Sequence, residues 1–330
     1  MSADSGTRTV DDAAIVEEFY PRSFRHRREL FEALDPPFAA NWVSHLARLL
    51  SRPGLERRKR FLVLAGQYTM RGEHDALAET LTAAVADGSD PHELLEAILQ
   101  CYVYAGGARV AAAADVLRTV LQSADMFDDF QQKLTPTDVT TVDRSLDEER
   151  STWSAQDRED PRTAEFLERF GWHGFSTGLR LRPGHHINLV ATLAIVDADF
   201  LQIWLDTIYQ NMYSRHVLDD GTRLLCTVGD CFAVGETHQA TRHMRGALRS
   251  GVAPRELLEV IFQTTAIVGH PYMLPIAVDD LVHVLQDEGR LDELVAEADI
   301  PELTRIVSAR LAKRAGIQDA LEPTTGGGAR

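Results

Sequence analysis

The residues best suited to proton transfer lie in the second half of the chain. His243 can move a proton near neutral pH, because an unperturbed imidazole has a pKa of about 6.5. Glu236 precedes it by two helical turns and so lies on roughly the same helix face. Arg223, on the preceding predicted helix, could hold a carboxylate through two hydrogen bonds. Together these residues predict an acid/base site for a carboxylated substrate.

Each of these three residues also has a structural interpretation. His243 could be a histidine whose ring is satisfied by helical neighbours. Arg223 could form a structural ion pair with Glu259 or Glu96, and Glu236 could cap a helix or sit in its first turn. The sequence leaves both interpretations open.

Further candidates for substrate contact are polar or aromatic residues near the predicted site. These are Gln239, Gln263, His270, Tyr272 and His173. The glutamine at 263 could instead bridge buried backbone groups between helices. Adjacent histidines such as His185 and His186 diverge on a helix, which does not suit metal coordination. No metal and no cofactor are therefore expected.

The charge of the chain limits its partners. Fifty acidic residues against 34 basic ones give a net charge of −16, which argues against nucleic acid or an anionic membrane as the partner. A local basic pocket could still take an anionic small molecule. No apolar run has the roughly 18 residues that a membrane helix needs, and no secretory signal is visible. A cytoplasmic protein is expected, with Cys101, Cys226 and Cys231 as reduced, buried thiols.

The spacing of apolar residues, together with glycines and prolines at the expected helix ends, predicts helices along nearly the whole chain and hence an all-α fold. Asp90-Pro91 and Ala253-Pro254 are typical helix starts, and Gly88 and Gly251 typical stops. The third helix of the second half is apolar on most of its surface and should be central. The predicted helices of the second half cover about 218–234, 236–250, 254–268 and 270–287.

An internal repeat is the strongest signal in the sequence. A shift of 163 residues aligns glycines, a proline and a Glu-Leu-Leu-Glu box without a gap. This register predicts a tandem duplication, with two similar helical domains packed about a pseudo-twofold axis. The aligned pairs include Gly66 with Gly229, Gly88 with Gly251, Pro91 with Pro254 and Gly106 with Gly269.

The repeat sets the expected domain boundaries. The first repeat, expected to be structural, covers residues 11–125, and the second, expected to carry the active site, covers 163–314. Residues 126–162 are polar and charged, which predicts a linker with a short exposed helix. The two ends, 1–10 and 315–330, are expected to be disordered.

Two segments carry a family resemblance: SRPGLERRKRFLVLAG in the first half and APRELLEVIFQTTAIVGHP in the second. They resemble the carboxymuconolactone decarboxylase and alkylhydroperoxidase D-like family. The resemblance covers about 50–125 and 213–290, and implies an all-α bundle. Because single-domain members commonly form trimers or hexamers, it also implies a homo-oligomer, with a trimer expected before a dimer.

The resemblance also shows what this chain lacks. The peroxidase branch carries a Cys-x-x-Cys-x-x-x-His motif, and only the histidine is matched here, by His243. Glu236 and Gln239 occupy the two cysteine positions, and Thr80 replaces the histidine in the first half. A thiol peroxidase needs a low-pKa thiolate and a resolving partner, so that activity is disfavoured.

These observations predict a cofactor-free, non-redox lyase or isomerase acting on a small cyclic carboxylated metabolite. In a decarboxylation, Arg223 would seat the carboxylate, and His243, helped by Glu236, would protonate the enolate left after CO₂ departs. A non-catalytic oligomeric ligand-binding or scaffold protein is the alternative. A thiol peroxidase that depends on Cys226 or Cys231 is the third possibility.

Overall fold

The computed structural model describes residues 11–21, 23–133 and 145–321, apart from some side chains in 270–272 and 317–321. Within these ranges the chain is helical and contains no strand, so the predicted all-α class is confirmed. The first half contains α1 (Asp12–Glu17), α2 (Ser23–Leu34), α3 (Pro36–Leu50), α4 (Arg57–Arg71), α5 (His74–Ala86), α6 (Pro91–Leu99), α7 (Tyr102–Ser123) and α8 (Phe127–Gln132).

The second half is also built from helices. It contains α9 (Leu146–Thr152), α10 (Ala155–Glu159), α11 (Pro161–Phe170), α12 (Trp172–Leu181), α13 (His186–Val196), α14 (Ala198–Trp204), a π-helix (Leu205–Tyr213), α15 (Asp220–Ala233), α16 (Thr237–Arg249), α17 (Pro254–Val268), α18 (His270–Asp287) and α19 (Ile300–Leu321). The four helices predicted from sequence correspond to α15–α18 within two residues at each end.

The predicted helix boundaries follow local chemistry. Asp90 caps α6 by accepting a hydrogen bond from the backbone N–H of His92, and Pro91 occupies the first turn. Gly88 and Gly251 end α5 and α16 with φ of 86° and 89°, in the left-handed region that only glycine adopts without strain. Both helix stops are in the predicted places.

The centre of the molecule is the contact between α4 and α15, where nearly every side chain of α15 is buried. The expectation that α17 is central needs correction, because several of its side chains remain half-exposed. Helices α4 and α15 instead pack against each other and against several further helices, which cover them on several sides. Two glycines allow this approach: a Cβ on Gly66 would lie 2.2 Å from Oδ1 of Asp230, and one on Gly229 would lie 2.7 Å from Val63.

Ion pairs join the first half to the second half in two places. Arg223 donates to Glu96 at 2.8 Å and to the carbonyl of Arg215 at 2.7 Å, while Arg215 also pairs with Glu96 at 2.8 Å. In the opposite direction, Glu259 pairs with Arg52 at 2.7 Å, and Arg60 donates to the Arg52 carbonyl at 2.9 Å.

The two sets of contacts are made by residues at matching positions of the predicted repeat. Arg60, Arg52 and Glu96 are each separated by the repeat length from their counterparts Arg223, Arg215 and Glu259. The duplication and its twofold axis stay predictions, which these paired contacts support.

Two boundary expectations differ from the structure. Part of the predicted linker packs onto the second half, because buried Glu149 pairs with Arg180 at 3.2 Å and Asp157 accepts a hydrogen bond from the backbone of Gly184. Helix α19 continues to Leu321, into the segment expected to be disordered from residue 315. The expectations for residues 1–10 and 322–330 lie outside the described residues.

Glu96→Gln should destabilise the protein by about 3–5 kcal/mol, because it leaves buried Arg223 without its counter-ion. Urea denaturation measures this change. Glu93→Gln is the control: its partner Arg58 is one-third exposed, and the expected loss is about 1 kcal/mol or less. Equal effects of the two substitutions would contradict the central role given to the Glu96 ion pair.

Candidate functional site

A contact between the two halves forms the core of the site. The first turn of α7 brings Tyr104 to α16, where its hydroxyl oxygen lies 2.6 Å from Nε2 of His243. The two rings meet edge to face, with centroids 6.2 Å apart. His243 is almost completely buried, so its ring hydrogen-bonds to a tyrosine from the other half rather than to bulk water.

Arg182, just after α12, supplies the positive charge of the site. Its guanidinium is buried and donates to the Tyr209 hydroxyl at 3.3 Å and to Oε1 of Gln239 at 3.0 Å. Within the described ranges, no carboxylate lies at ion-pair distance from it. Arg223 and Arg180, which are buried to a similar degree, both pair with carboxylates. Arg182 is thus a buried cation held only by neutral groups.

Aromatic rings form the walls around this cation. Tyr209 and Tyr213 project from the π-helix, with ring centroids 5.7 Å apart, and Tyr213 lies 6.4 Å from His243. The ring of His186 lies 4.6 Å from Tyr209 and stacks on Trp204 at 5.9 Å.

Several buried polar atoms in this cluster have no hydrogen-bond partner among the described residues. Such atoms are uncommon in folded proteins, since each costs desolvation energy that no hydrogen bond returns. Their concentration around one cation is the pattern expected of a site that a polar ligand completes. The atoms are Nδ1 of His243, both ring nitrogens of His186 and Nε of Arg182.

Burial and positive charge set the protonation states. Burial, followed by the charges of Arg182 and Arg242, holds the pKa of His243 well below its usual value. Burial and the charge of Arg182 also hold the pKa of His186 well below its usual value. Burial raises the pKa of the Tyr104 hydroxyl. At neutral pH the site therefore contains neutral imidazoles, a protonated tyrosine and at least one cation.

The cysteines do not supply a reactive thiolate. All three are free and buried, as predicted. Burial raises the pKa of each thiol, and for Cys101, Cys226 and Cys231 the nearby Asp230 acts in the same direction. This environment is opposite to the one that activates a thiol in a peroxidase.

The structure does not bring Arg223 to His243. The guanidinium of Arg223 forms an ion pair with Glu96. Arg223 lies near the start of α15, about 12 Å along the helix axis from Cys231, which lies two helical turns later on the same helix. The cations that act on His243 are Arg182 and Arg242. Glu236 is exposed at the start of α16, and in the described part of the chain no hydrogen bond joins it to His243.

The predicted substrate-contact residues divide into three groups. Gln239 lies in the site, where it accepts a hydrogen bond from Arg182. Gln263 is instead part of the core, accepting from Arg60 at 3.0 Å, and His173 is exposed and stacks on Trp172. The side chains of His270 and Tyr272 lie outside the described residues.

Sequence reasoning missed Tyr209, although a signal for it exists. Trp204 and Arg215 are one residue further apart than Trp42 and Arg52, which correspond to them in the predicted repeat. The π-helix between Trp204 and Arg215 accommodates the extra residue, whereas α3 is a regular α-helix. Such insertions are frequent at functional sites. A one-residue change of register between the repeats would have pointed to this segment.

A known family and one similar protein match part of this chain. Residues 36–119 match the carboxymuconolactone decarboxylase family. The predicted resemblance is thus confirmed for a region that runs from α3 into α7 and includes Tyr104. A similar protein is the uncharacterized 15.0 kDa protein in the nqo9-nqo10 intergenic region of Paracoccus denitrificans, 35% identical over 80 residues. The match covers 24% of this chain and 57% of that protein.

The described residues give no support for a membrane span or a metal centre. None of the described helices is long and apolar enough to cross a membrane. Among the same residues, no group of three or more histidine, cysteine or acidic side chains is arranged to hold a metal ion. The polar cluster around Arg182 and His243 is the candidate site.

The stability of the protein should fall as the pH drops below about 6.5. The folded-state pKa values of His186 and His243 are lowered, so the unfolded chain binds more protons in this range. Each such histidine contributes up to about 1.4 kcal/mol per pH unit. Urea denaturation between pH 5 and 8 measures the slope.

His186→Phe isolates one histidine from this pH dependence. In the first half, Phe24 stacks on Trp42 at 5.4 Å, much as His186 stacks on Trp204, so phenylalanine should fit. The variant should keep its stability at pH 7 and lose less of it at pH 5 than the wild type. A pH profile that is unchanged by the substitution would contradict the assignment of a neutral, buried His186.

Proposed function

We propose that this protein is a non-redox enzyme of the lyase or isomerase type that acts on a small carboxylated metabolite. The observation that carries the proposal is the buried Arg182 guanidinium, which has neutral partners only among the described residues. Family membership at residues 36–119 supports a function of the carboxymuconolactone decarboxylase kind. In this proposal Arg182 takes the substrate-binding role that the sequence suggested for Arg223.

Electrostatics favours an anionic substrate. A buried charge without a counter-ion is costly, and an anion that binds beside it recovers much of that cost. A carboxylate suits a guanidinium because the two groups can form parallel hydrogen bonds. Arg242, beside His243, adds to the positive potential of the site although the whole chain has a net charge of −16. Cations placed locally in an acidic protein select small anions.

Binding of a carboxylate also prepares the proton transfer. The charge of Arg182 helps to keep His243 neutral, so neutralising that charge raises the pKa of the imidazole. His243 then gains a proton as the substrate binds, and Tyr104 connects the imidazole to the reacting carbon by its hydrogen bond. The site thereby acquires a general acid only when the substrate is present.

In a decarboxylation, the electron pair of the bond to the departing carboxylate moves onto an adjacent carbonyl, and CO₂ leaves. The enolate that remains takes a proton from the Tyr104–His243 pair, which the solvent later restores. In an isomerisation His243 acts first in its neutral form: it removes a proton from one carbon, and the imidazolium that results returns the proton to another carbon. Both reactions need only groups that lie together in this site, and neither needs a thiolate.

A non-catalytic ligand-binding protein is the second candidate. The same unpartnered polar atoms favour it, because they require a ligand but not a reaction. Turnover separates the two candidates: a binding protein takes up the carboxylate and releases it unchanged.

Arg182→Met tests the proposed role of the cation. It should abolish turnover of carboxylated lactones or β-keto acids, measured as CO₂ release or loss of substrate absorbance. It should also leave the melting temperature unchanged or raised, because a buried charge without a carboxylate partner is removed. His173→Ala is the matched control, since this exposed residue was another predicted substrate contact. A variant that is unstable and still active would refute the substrate-binding role.

His243→Gln and Tyr104→Phe test the proton transfer. Each should lower kcat by about 10²–10⁴-fold, the usual contribution of general acid–base catalysis, with a smaller change in KM. Steady-state kinetics on the same substrates measures both constants. Rates equal to those of the wild type in both variants would remove the acid/base mechanism.

A further inference from the structure

A small cavity in the first half is separate from the candidate site. Its volume is about 70 Å³, and the described residues that line it include none of the cluster around Arg182. Exposed Arg27 lines its open side, while Leu46 and Trp42 of α3 form part of its apolar wall. Ala266 of α17 completes that wall from the second half. The cavity thus lies where the two halves meet, and it is called the first-half cavity below.

The first-half cavity corresponds in the predicted repeat to the surroundings of Arg182. At one constant spacing along the sequence, Tyr20 corresponds to Arg182 and Phe24 to His186. Phe24 stacks on Trp42, with ring centroids 5.4 Å apart. The first half therefore keeps aromatic walls but has a phenol in place of the buried guanidinium and a phenyl ring in place of the imidazole. A ligand of this cavity must differ in chemistry from a ligand of the candidate site.

Two buried hydroxyl groups in the cavity wall have one hydrogen without an acceptor. The hydroxyls of Tyr20 and Tyr68 are 2.8 Å apart, and within the described ranges each is the other's only hydrogen-bond partner. A bond between two hydroxyls uses one of their two hydrogens, so the other remains unused. Tyr20 is 7% exposed and Tyr68 6% exposed, and a buried donor without an acceptor is costly. Burial raises the pKa of Tyr20 to about 12 and also raises that of Tyr68, so both stay protonated at neutral pH.

The charges near these hydroxyls do not favour an anion. Besides burial and the hydrogen bond to Tyr68, three charged side chains act on the pKa of Tyr20. Arg27 lowers this pKa, whereas Glu79 and Glu73 raise it. One cation and two carboxylates give no net positive charge to offset the desolvation of a bound carboxylate. An uncharged oxygen acceptor, such as a carbonyl, carries a much smaller desolvation cost.

We propose that the first-half cavity binds a small, uncharged ring compound through its carbonyl oxygen. The carbonyl accepts the unused hydrogen of the Tyr20–Tyr68 pair, and the ring packs against Trp42, Leu46 and Ala266. An enclosed cavity of about 150 Å³ takes up benzene, so a cavity of about 70 Å³ holds one edge of a small ring. The remainder of the ring lies at the open side.

Cyclopentanone and cyclopentanecarboxylate are matched probes, because one ring is uncharged and the other is anionic. Ligand-observed NMR titration of the full-length protein measures the Kd of each probe. Ala266→Leu fills the cavity and should weaken cyclopentanone binding by at least about tenfold. Val103→Leu is the matched control: Val103 corresponds to Ala266 in the predicted repeat and lies outside the cavity, so affinity should match that of the wild type.

The double variant Tyr20→Phe with Tyr68→Phe tests the hydrogen bond independently of the cavity volume. It should weaken cyclopentanone binding by about two- to tenfold, the usual contribution of one hydrogen bond. The fold should persist, because both partners of the internal hydrogen bond are removed together. Circular dichroism and the melting temperature check the fold of every variant.

Three results would overturn the proposal. The first is cyclopentanone that does not bind the wild type saturably, or that binds Ala266→Leu and the tyrosine double variant as tightly as the wild type. The second is cyclopentanone binding that is lost in Arg182→Met, which would place the ring in the candidate site. The third is cyclopentanecarboxylate binding that weakens in Ala266→Leu, which would contradict the preference for an uncharged ring.

Discussion

The close packing of α4 against α15 is the constraint on which the rest of the structure depends. Glycines at 66 and 229 let the two helices approach, and the Arg52–Glu259 and Arg223–Glu96 ion pairs join the two halves. The same contact sets the position of α7, whose first turn delivers Tyr104 to His243. The candidate site is therefore shared between the halves, and neither half contains it alone.

The site itself rests on an electrostatic imbalance. The chain pairs the buried guanidiniums of Arg180 and Arg223 with carboxylates, whereas Arg182, like Arg60, donates only to neutral groups. A stable core is better served by a paired charge or by no charge. Burial, together with the same positive charge, keeps His243 neutral, so Arg182 contributes both to the preference for an anion and to the state of the proton carrier.

Much of the fold could be predicted from the sequence, because helix ends depend on local chemistry. A proline in the first turn or a glycine after the last turn determines the helix end within a few residues of itself. The predicted ends of α15–α18 are therefore close to the observed ones. His243 was also recognisable as a candidate from the sequence. Its partners were not, since Tyr104 is 139 residues away in the chain and Arg182 reaches the site through contacts made by the π-helix.

The assignment of Arg223 shows where local reasoning ends. A guanidinium on a helix next to a histidine looks suitable for a substrate, but Arg223 and Arg60 occupy matching places in the two halves, and both lie in the core contact. A residue type that recurs in both halves is better assigned to what the halves share. Arg182 and His186 have no counterpart of the same type in the first half, and that asymmetry indicates a function specific to the second half.

Proton uptake on carboxylate binding is the most direct test of this account. Calorimetric titration of benzoate at pH 6, in buffers with different ionisation enthalpies, gives the number of protons taken up. The account predicts a net uptake by the wild type, none by His243→Gln and no binding by Arg182→Met. Binding that is equally strong without Arg182, or that leaves the protonation of the wild type unchanged, would contradict it.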